Sequence, residues 1–379
     1  MGSVHPYDSA KGRKYLVRYR KPDGTNGAKR GFSRKRDAEL WLADVESSRA
    51  RGEFIDPKAA RVTINSLGPG WIESKSSSMK PSSFAPVETA WRLRVQPTWG
   101  RWALSDIRHS DIKDWVGKLS KQVGATVTIR TFGVLAGILD DAVHDKRISL
   151  NPARVGDIPL PRKKKRTHRY LSHEQVAALA RASGSHRLLV LVLAYTGIRW
   201  AEVTGLRVRH IDFERGRLRI EDNAVEVGNK VHLGTPKSHK SRAVPVPRFV
   251  LEQLRLHTSR LDGDALVFAG RDGGYMRRTR ASEGSRSWFK VALKEANLPL
   301  MTPHDLRHTA ASLAVQSGAH VKTIQRMLGH ASAAMTLDVY SDLFDDDLDL
   351  VSIALDAAAS RSGVLNLFSN EDEAPEQRS

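Results

Sequence analysis

Between residues 12 and 20 the side chains of Tyr15, Val17 and Tyr19 fall on every second position. They alternate with basic residues, which is the period of a half-buried strand. Pro22-Asp23-Gly24 supplies turn chemistry, and a second strand is expected near Lys29 to Phe32. The period then changes. Ala38, Trp41, Leu42 and Val45 stand at i, i+3, i+4 and i+7, predicting a helix capped by Ser33 and ended by Gly52. Residues 1–61 thus read as a small sheet-plus-helix module, flanked by Arg18, Arg20, Lys29 and Arg30. Those cations suit a solvated sheet face and a contact to a phosphate backbone equally.

Residues 62–158 read as mostly helical. Ile112, Trp115, Val116 and Leu119 form one stripe behind a cap at Ser110. Phe132, Leu135, Ala136, Leu139 and Val143 form a longer one, which Asn151-Pro152 should break off. The stretch Ser74 to Pro86, rich in Ser, Lys and Pro, reads as loop, and the tryptophans of this segment read as core. Arg162, Lys163, Lys164, Lys165 and Arg166 are successive cations after the proline-bearing segment Asn151 to Pro161, a run that repels itself and extends. That marks 159–168 as a linker, either a solvated hinge or a strap that follows phosphates. Residues 169–350 form the largest unit. Helices dominate it, but Ile211 to Pro247 alternates like a small antiparallel sheet with Arg215-Gly216 at a hairpin turn. Residues 351–379 remain as a tail whose last segment, Asn370 to Ser379, is polar and acidic. The class is α+β, multidomain: a small sheet-plus-helix module, an all-helical unit, and a mainly helical unit carrying a small antiparallel sheet.

Charge sharpens this picture. Among 379 residues, 61 Lys and Arg stand against 42 Asp and Glu, a net charge of +19. A surplus of that size, clustered in runs, favours a polyanionic partner, most often nucleic acid. The absence of cysteine excludes disulfides, thiol nucleophiles and thiolate zinc sites, and it fits a reducing cytoplasm. The apolar run Leu188 to Tyr195 is far too short to span a bilayer, so no membrane partner is expected. The N-terminus lacks a signal-peptide core, and Pro6 stands where a myristoylation signal wants Ser or Thr.

Four segments of the largest unit carry candidate chemistry. In Thr196-Gly197-Ile198-Arg199-Trp200-Ala201-Glu202, an apolar helix ends at Gly197 and aims Arg199 from its end. Such a guanidinium needs an anion, either a ligand or Glu202. Gly234 to Arg242, containing Lys237, Lys240 and Arg242, is a basic hairpin tip. It suits a DNA groove, a lysine proton donor, or simply solvent. In Thr302-Pro303-His304-Asp305-Leu306-Arg307-His308, Thr302 is the expected N-cap, with Pro303 at N1 and Asp305 at N3. His304, Arg307 and His308 then share one face near the positive helix end, which suits a phosphate. A zinc site on His304 and His308 fails because Arg307 would crowd the cation and no glutamate takes the place a metalloprotease helix needs. Leu328-Gly329-His330 is followed ten residues later by Tyr340, on a short helix where a tyrosine is more often core than nucleophile. Each segment is weak by itself. In order, Arg, Lys, His-x-x-Arg, His, Tyr supplies what phosphoryl transfer needs: cations for non-bridging oxygens, a proton donor, and a nucleophile, with neither metal nor cofactor.

These residues resemble the tyrosine recombinase, or phage integrase, family. Thr196 to Arg199 with Glu202 looks like its first arginine box, Lys237 its hairpin lysine, and His304 to His308 its second box. Leu328-Gly329-His330 looks like the third, and Tyr340 sits where the nucleophile belongs. Trp200 departs from the smaller or polar residue common there. Residues 62–158 resemble the family's core-binding domain. Residues 1–61, ending Ala50 to Pro57, resemble the arm-binding domain of integrases from phages of actinobacteria. The resemblance implies a site-specific recombinase that integrates phage or mobile-element DNA into a host chromosome through a 3′-phosphotyrosine and a Holliday junction. It assigns Arg199, Lys237, His304, Arg307, His330 and Tyr340 to the chemistry, with Glu202 and His308 in support. Its partners are double-stranded DNA at core-type and arm-type sites, three further copies in a homotetrameric synapse, and a host DNA-bending protein and directionality factor. Its place is the bacterial cytoplasm, at the nucleoid. Two other functions remain open at this stage: relaxation of DNA by a type IB topoisomerase-like enzyme, and a non-catalytic architectural role on DNA.

Overall fold

A computed structural model of the chain describes residues 2–10, 12–21, 24–51, 54–56, 58–163, 169–228, 230–234, 241–279, 284–340 and 348–362. The side chains of residues 335, 338–340, 348–351 and 354 lie outside the description. The chain divides into two compact units, Met1–Lys165 and Arg166–Ser379. Among the described residues the first unit holds two separate hydrophobic cores and the second holds one.

The N-terminal core lies under an antiparallel sheet, β1 (Ser3–Ser9), β2 (Gly12–Arg20) and β3 (Asn26–Phe32), ordered β1-β2-β3. The alternation along β2 holds: Val17 and Tyr19 are buried, whereas Arg18 and Arg20 are exposed. Strand β1 gives no apolar alternation, and Pro6 reads against a strand. It pairs along its length because an edge strand tolerates a proline. Helix α1 (Lys35–Ala50) lays Ala38 and Val45 into this core with Trp41 and Leu42 beside them. Its N-cap is Arg34, without a side-chain cap bond, rather than Ser33. It ends at Ala50, and Gly52 lies outside the described residues, as do Pro22 and Asp23.

The segment expected to loop from Ser74 to Pro86 is instead helical, in α2 (Ile64–Ser78) and α3 (Pro81–Ala90). The serines that argued for a loop turn their hydroxyls back onto the helix. Ser76 donates to Glu73 O at 2.8 Å and Ser78 to Ser74 O at 3.0 Å, so their competing hydrogen bonds are used up inside α2. Pro81 stands at the first turn of α3, where its missing N–H costs nothing. A π-turn, Trp91–Val95, leads into α4 (Gln96–Trp99). Helix α5 (His109–Gln122) starts before Ser110. The Asp111 carboxylate accepts the Arg108 N–H at 3.2 Å and fixes the start there.

Helix α6 (Ala125–His144) ends seven residues before Asn151, with Lys146 in the left-handed region at φ +55°. Asn151 is therefore a latch rather than a breaker. Buried, it donates to Ala136 O at 3.0 Å and accepts from Ala153 N at 2.8 Å. Trp91 and Trp99 are buried in this core with Leu135, Ile138 and Leu139, while Trp102 is exposed.

The second unit opens with α7 (His173–Ala182), capped by Ser172, whose hydroxyl accepts from Gln175 N. The apolar α8 (Arg187–Thr196) and the short α9 (Trp200–Thr204) follow. The alternating stretch makes two sheets among the described residues. One is β4 (Ile211–Asp212), β5 (Arg217–Ile220) and β8 (Arg242–Pro245), the other β6 (Asn223–Val227) and β7 (Lys230–Gly234). Gly216 turns β4 into β5 at φ +61°. Then come α10 (Arg248–Thr258), α11 (Trp288–Glu295), α12 (Asp305–Gln316), α13 (Val321–Leu328) and α14 (Ala333–Tyr340). Helix α15 (Leu348–Ser362) runs across the expected boundary at residue 350 into the tail. No helix of the described residues is long and apolar enough to cross a membrane.

Leu139 is fully buried in the helical core. Truncating such a leucine removes its transfer energy and leaves a cavity, together costing about 2–5 kcal/mol. Leu139→Ala should lower the urea midpoint of the unfolding transition followed by tryptophan fluorescence, with Trp91 and Trp99 as neighbouring reporters. An unchanged midpoint would remove Leu139 from the core.

Candidate active site

Helix α8 is apolar and stops where Gly197 adopts φ +63°, a left-handed C-cap. A Cβ at Gly197 would stand 2.7 Å from Leu328 Cδ2, so glycine satisfies both the dihedral and the close approach of α13. The turn delivers Arg199 to the start of α9. There the Glu202 carboxylate accepts the Arg199 backbone N–H on Oε2 and the Arg199 Nη1 on Oε1, each at 2.8 Å. The expected Arg199–Glu202 pair is thus present, but it does not exhaust the guanidinium: Nη2 reaches Gly329 O at 3.3 Å, and 29% of the side chain stays exposed.

Helix α12 starts later than the sequence implies. Its N-cap is His304 rather than Thr302. The N–H and the hydroxyl of Thr302 both donate to Asp305 Oδ2, at 2.6 and 2.8 Å. The carboxylate at the helix start thereby gathers the turn that carries His304. Of the three residues placed on one face, His304 is exposed, whereas Arg307 and His308 are buried, with the two imidazoles edge to face at 5.3 Å. Arg307 is only 4% exposed, and its guanidinium donates to Gly197 O at 2.6 Å and to Leu328 O at 2.5 Å.

Helix α13 ends with Gly329 at φ +66°, again left-handed. Its last carbonyls have no helical amide to accept from. Leu328 O and Gly329 O take Arg307 and Arg199, and Met327 O takes Arg242 Nε at 3.2 Å. His330 follows at once, held by Gln325, whose Nε2 donates to His330 O at 3.2 Å, and by Thr336, whose hydroxyl lies 3.0 Å from Nδ1. Thr336 is fully buried in α14. Tyr340 ends that helix one turn further on, and its side chain lies outside the described residues. Lys237 and Lys240 also lie outside them.

The electrostatics follow from this packing. Burial alone would raise the Glu202 carboxyl. The hydrogen bonds and charge of Arg242, then those of Arg199, overcome it and lower it from 4.5 to about 2. His330 moves from 6.5 to about 4, first through burial and then through the charges of Arg307, Arg199, Arg242 and His304. At neutral pH the centre therefore combines a neutral imidazole, an ionised carboxylate and the Arg199, Arg242 and Arg307 cations, a surplus of positive charge suited to an anion. No group of three or more His, Asp or Glu among the described residues is placed to hold a metal ion.

The remaining described candidates belong to the first unit. Arg18 and Arg20 are exposed on the outer face of the N-terminal sheet. Arg162 and Lys163 are exposed in irregular chain, and Lys164, Lys165 and Arg166 lie outside the described residues. Thr336 and Arg242 are the site residues that the sequence reading did not place here. Nothing marks Thr336 in the sequence. Arg242 was legible, because it shares the inward face of β8 with the buried Val244 two residues on.

The chain is similar to known proteins. Residues 169–346 match the profile of the Phage integrase family. The integrase of Mycobacterium phage D29 is 28% identical over 323 residues, spanning 81% of this chain and 84% of that one. Among solved structures, the Tn1549 transposon integrase in complex with a circular intermediate DNA superposes with a TM-score of 0.63 at 20% identity, over 73% of this chain and 94% of that one. A lambda integrase tetramer bound to a Holliday junction gives a TM-score of 0.56 at 19% identity, over 86% and 96%.

A histidine whose folded value is depressed keeps its full stabilising balance above the unfolded value of about 6.5 and loses it as pH falls towards 4, because only the unfolded chain takes the proton in that window. Thermal stability should decline as pH is lowered from 6.5 to 4, and His330→Gln should make that limb shallower. Parallel pH profiles of the two proteins would show that His330 is not held neutral.

Proposed function

Because the chain belongs, through residues 169–346, to the phage integrase family of tyrosine recombinases, enzymes of DNA strand breakage and rejoining, we propose that it integrates phage or mobile-element DNA into a host chromosome. Site-specific recombination follows from the family. The integrating role, the residue assignments and the use of two kinds of DNA site are the proposal.

In this scheme Arg199 and Arg307 hold the non-bridging oxygens of the scissile phosphate, and His304 and His330 add hydrogen bonds. Tyr340 attacks phosphorus, its proton passing to a histidine of the site as the 3′-phosphotyrosine bond forms. Lys237 gives a proton to the departing 5′ oxygen. The 5′-hydroxyl of a partner strand then attacks the phosphotyrosine and releases Tyr340. The bond energy is retained throughout, so no nucleotide cofactor is consumed. His308, packed behind His304, supports its ring. The observation that carries the reading is the convergence of Arg199 and Arg307, from well-separated parts of the chain, on the end of α13, where His330 follows directly. Paired arginines on buried or half-buried positions, with a surplus of positive charge, favour a phosphodiester over solvent. Four copies exchange strands in the synapse, as the lambda neighbour's tetramer on a Holliday junction supports. A host DNA-bending protein and a directionality factor complete the scheme.

The test uses a nicked duplex spanning the junction between the element carrying the gene and its flanking DNA, which traps a covalent adduct. Tyr340→Phe keeps the ring and removes the nucleophilic oxygen. It should bind the duplex as the parent does and form no adduct, while the parent attaches to the 3′ side and leaves a 5′-hydroxyl. An active Tyr340→Phe protein, or an adduct mapped to another tyrosine, would overturn the scheme.

Residues 1–61 carry the second DNA-binding surface, with Arg18 and Arg20 on backbone phosphates. Deleting them should leave adduct formation on the junction duplex intact and abolish efficient integration in cells. Undiminished integration by the truncated protein would remove the arm-binding role.

A further inference from the structure

Arg242 has no part in the cleavage scheme above, yet it sits in the same cluster. Its side chain is 10% exposed. Nη1 and Nη2 fork onto Glu202, at 2.9 Å to Oε1 and 2.7 Å to Oε2, and Nε donates to Met327 O at 3.2 Å. A guanidinium engaged in this way through all its nitrogens is turned inward. Each Glu202 oxygen accepts once from Arg242 and once from Arg199. The Glu202 side chain is 1% exposed, so water does not supply those bonds. The result is a relay that starts and finishes on neighbouring carbonyls of one helix end: Met327 O, Arg242, Glu202, Arg199, Gly329 O. Gly329 leaves room for it, since a Cβ there would lie 3.0 Å from Arg242 Cδ and Nε.

We propose that Arg242 is a positioning residue for strand cleavage: it fixes the Glu202 carboxylate and, through it, the Arg199 guanidinium, and does not itself contact DNA. The inference rests on the reading of Arg199 as a phosphate ligand. Two physical effects carry it. Without Arg242, half of the hydrogen bonds to a buried carboxylate vanish, and Glu202 turns to Arg199 as its remaining cation. That closer pairing draws Nη2 off Gly329 O and reorients the fork. A lone Glu202–Arg199 pair is also neutral, whereas Arg242 leaves the trio with a net positive charge for an incoming phosphate. An arginine is needed, because a lysine offers a point charge that cannot hold both oxygens.

The experiment compares parent, Arg242→Gln and Arg242→Lys as full-length proteins on the nicked junction duplex. Duplex affinity and single-turnover adduct formation at saturating protein are both read. Misplacement of a reacting group by about an ångström costs roughly a hundredfold. Arg242→Gln should therefore lower the rate constant roughly ten- to a hundredfold with affinity kept within about threefold, and Arg242→Lys should restore part of it. An unchanged rate constant overturns the proposal. So does loss of burst amplitude alone, the mark of a protein that is merely less folded. Loss of affinity in step with cleavage overturns it in favour of a direct DNA contact. If Arg242→Gln does not fold, Arg242→Lys is judged by the same three criteria. The Arg199 side-chain N–H resonances give a reading independent of activity. They should be protected from exchange in the parent and lose protection in either variant; unaltered protection overturns the relay. A parent protein that forms no adduct while Arg199 responds to Arg242 would bring down the cleavage scheme and leave the relay standing.

Discussion

An α-helix ends in carbonyls that no amide of its own can reach, and the centre of the larger unit is organised by those at the end of α13. The left-handed Gly329 stops the helix, and Met327 O, Leu328 O and Gly329 O are each taken by a different arginine. The arginines come from β8, from α12 and from the turn before α9, segments with no sequence proximity to each other. The negative end of the helix dipole adds to the attraction. Cations that would repel one another are thus spaced by acceptors on a single short stretch of backbone. The carboxylate of Glu202 then couples Arg242 and Arg199, whereas Arg307 is fixed separately through Gly197 O.

The same assembly dictates the behaviour of its neighbours. Burial first, and then the guanidinium charges gathered beside it, make it unfavourable for the His330 imidazole to acquire charge. His330 accordingly stays neutral, and its ring is oriented by a buried threonine rather than by an acid. Had Thr336 been an aspartate, its carboxylate would have drawn the imidazole towards its cationic form.

Much of this was readable from the chain, and the exceptions have physical causes. The glycine that ends α8 and the arginine after it were visible in the sequence, but only as one weak segment in which Glu202 was as good a partner for Arg199 as a ligand; the order of all the segments gave it meaning. The His304, Arg307 and His308 spacing put three side chains on one face. It could not say that Arg307 would sink into the core while His304 stayed exposed, because that depends on where Gly197 and Leu328 present their carbonyls. Arg242 was legible in the alternation with Val244, but the basic run around it pointed to solvent or DNA. The serines of α2 misled for a different reason. Composition ranks serine as a loop former, yet a serine hydroxyl can be satisfied one turn back in a helix whose stripe of Ile64, Leu67, Trp71 and Ile72 already faces a core. Strand β1 had no apolar pattern to find, since its partner β2 defines it through backbone pairing.

The N-terminal module has a consequence of another kind. Its described core draws Val4, Tyr15, Val17, Tyr19, Phe32, Ala38, Trp41, Leu42, Val45 and Phe54 from one continuous stretch of sequence. A core so local is inherited as a single piece of gene. A recombination event with one breakpoint just beyond it transfers a module that already carries its own packing, and no interior residue elsewhere need co-evolve. Lineages carrying such a chain can therefore exchange this end like a cassette, while the arginine-bound helix terminus, stitched together from distant segments, must descend intact.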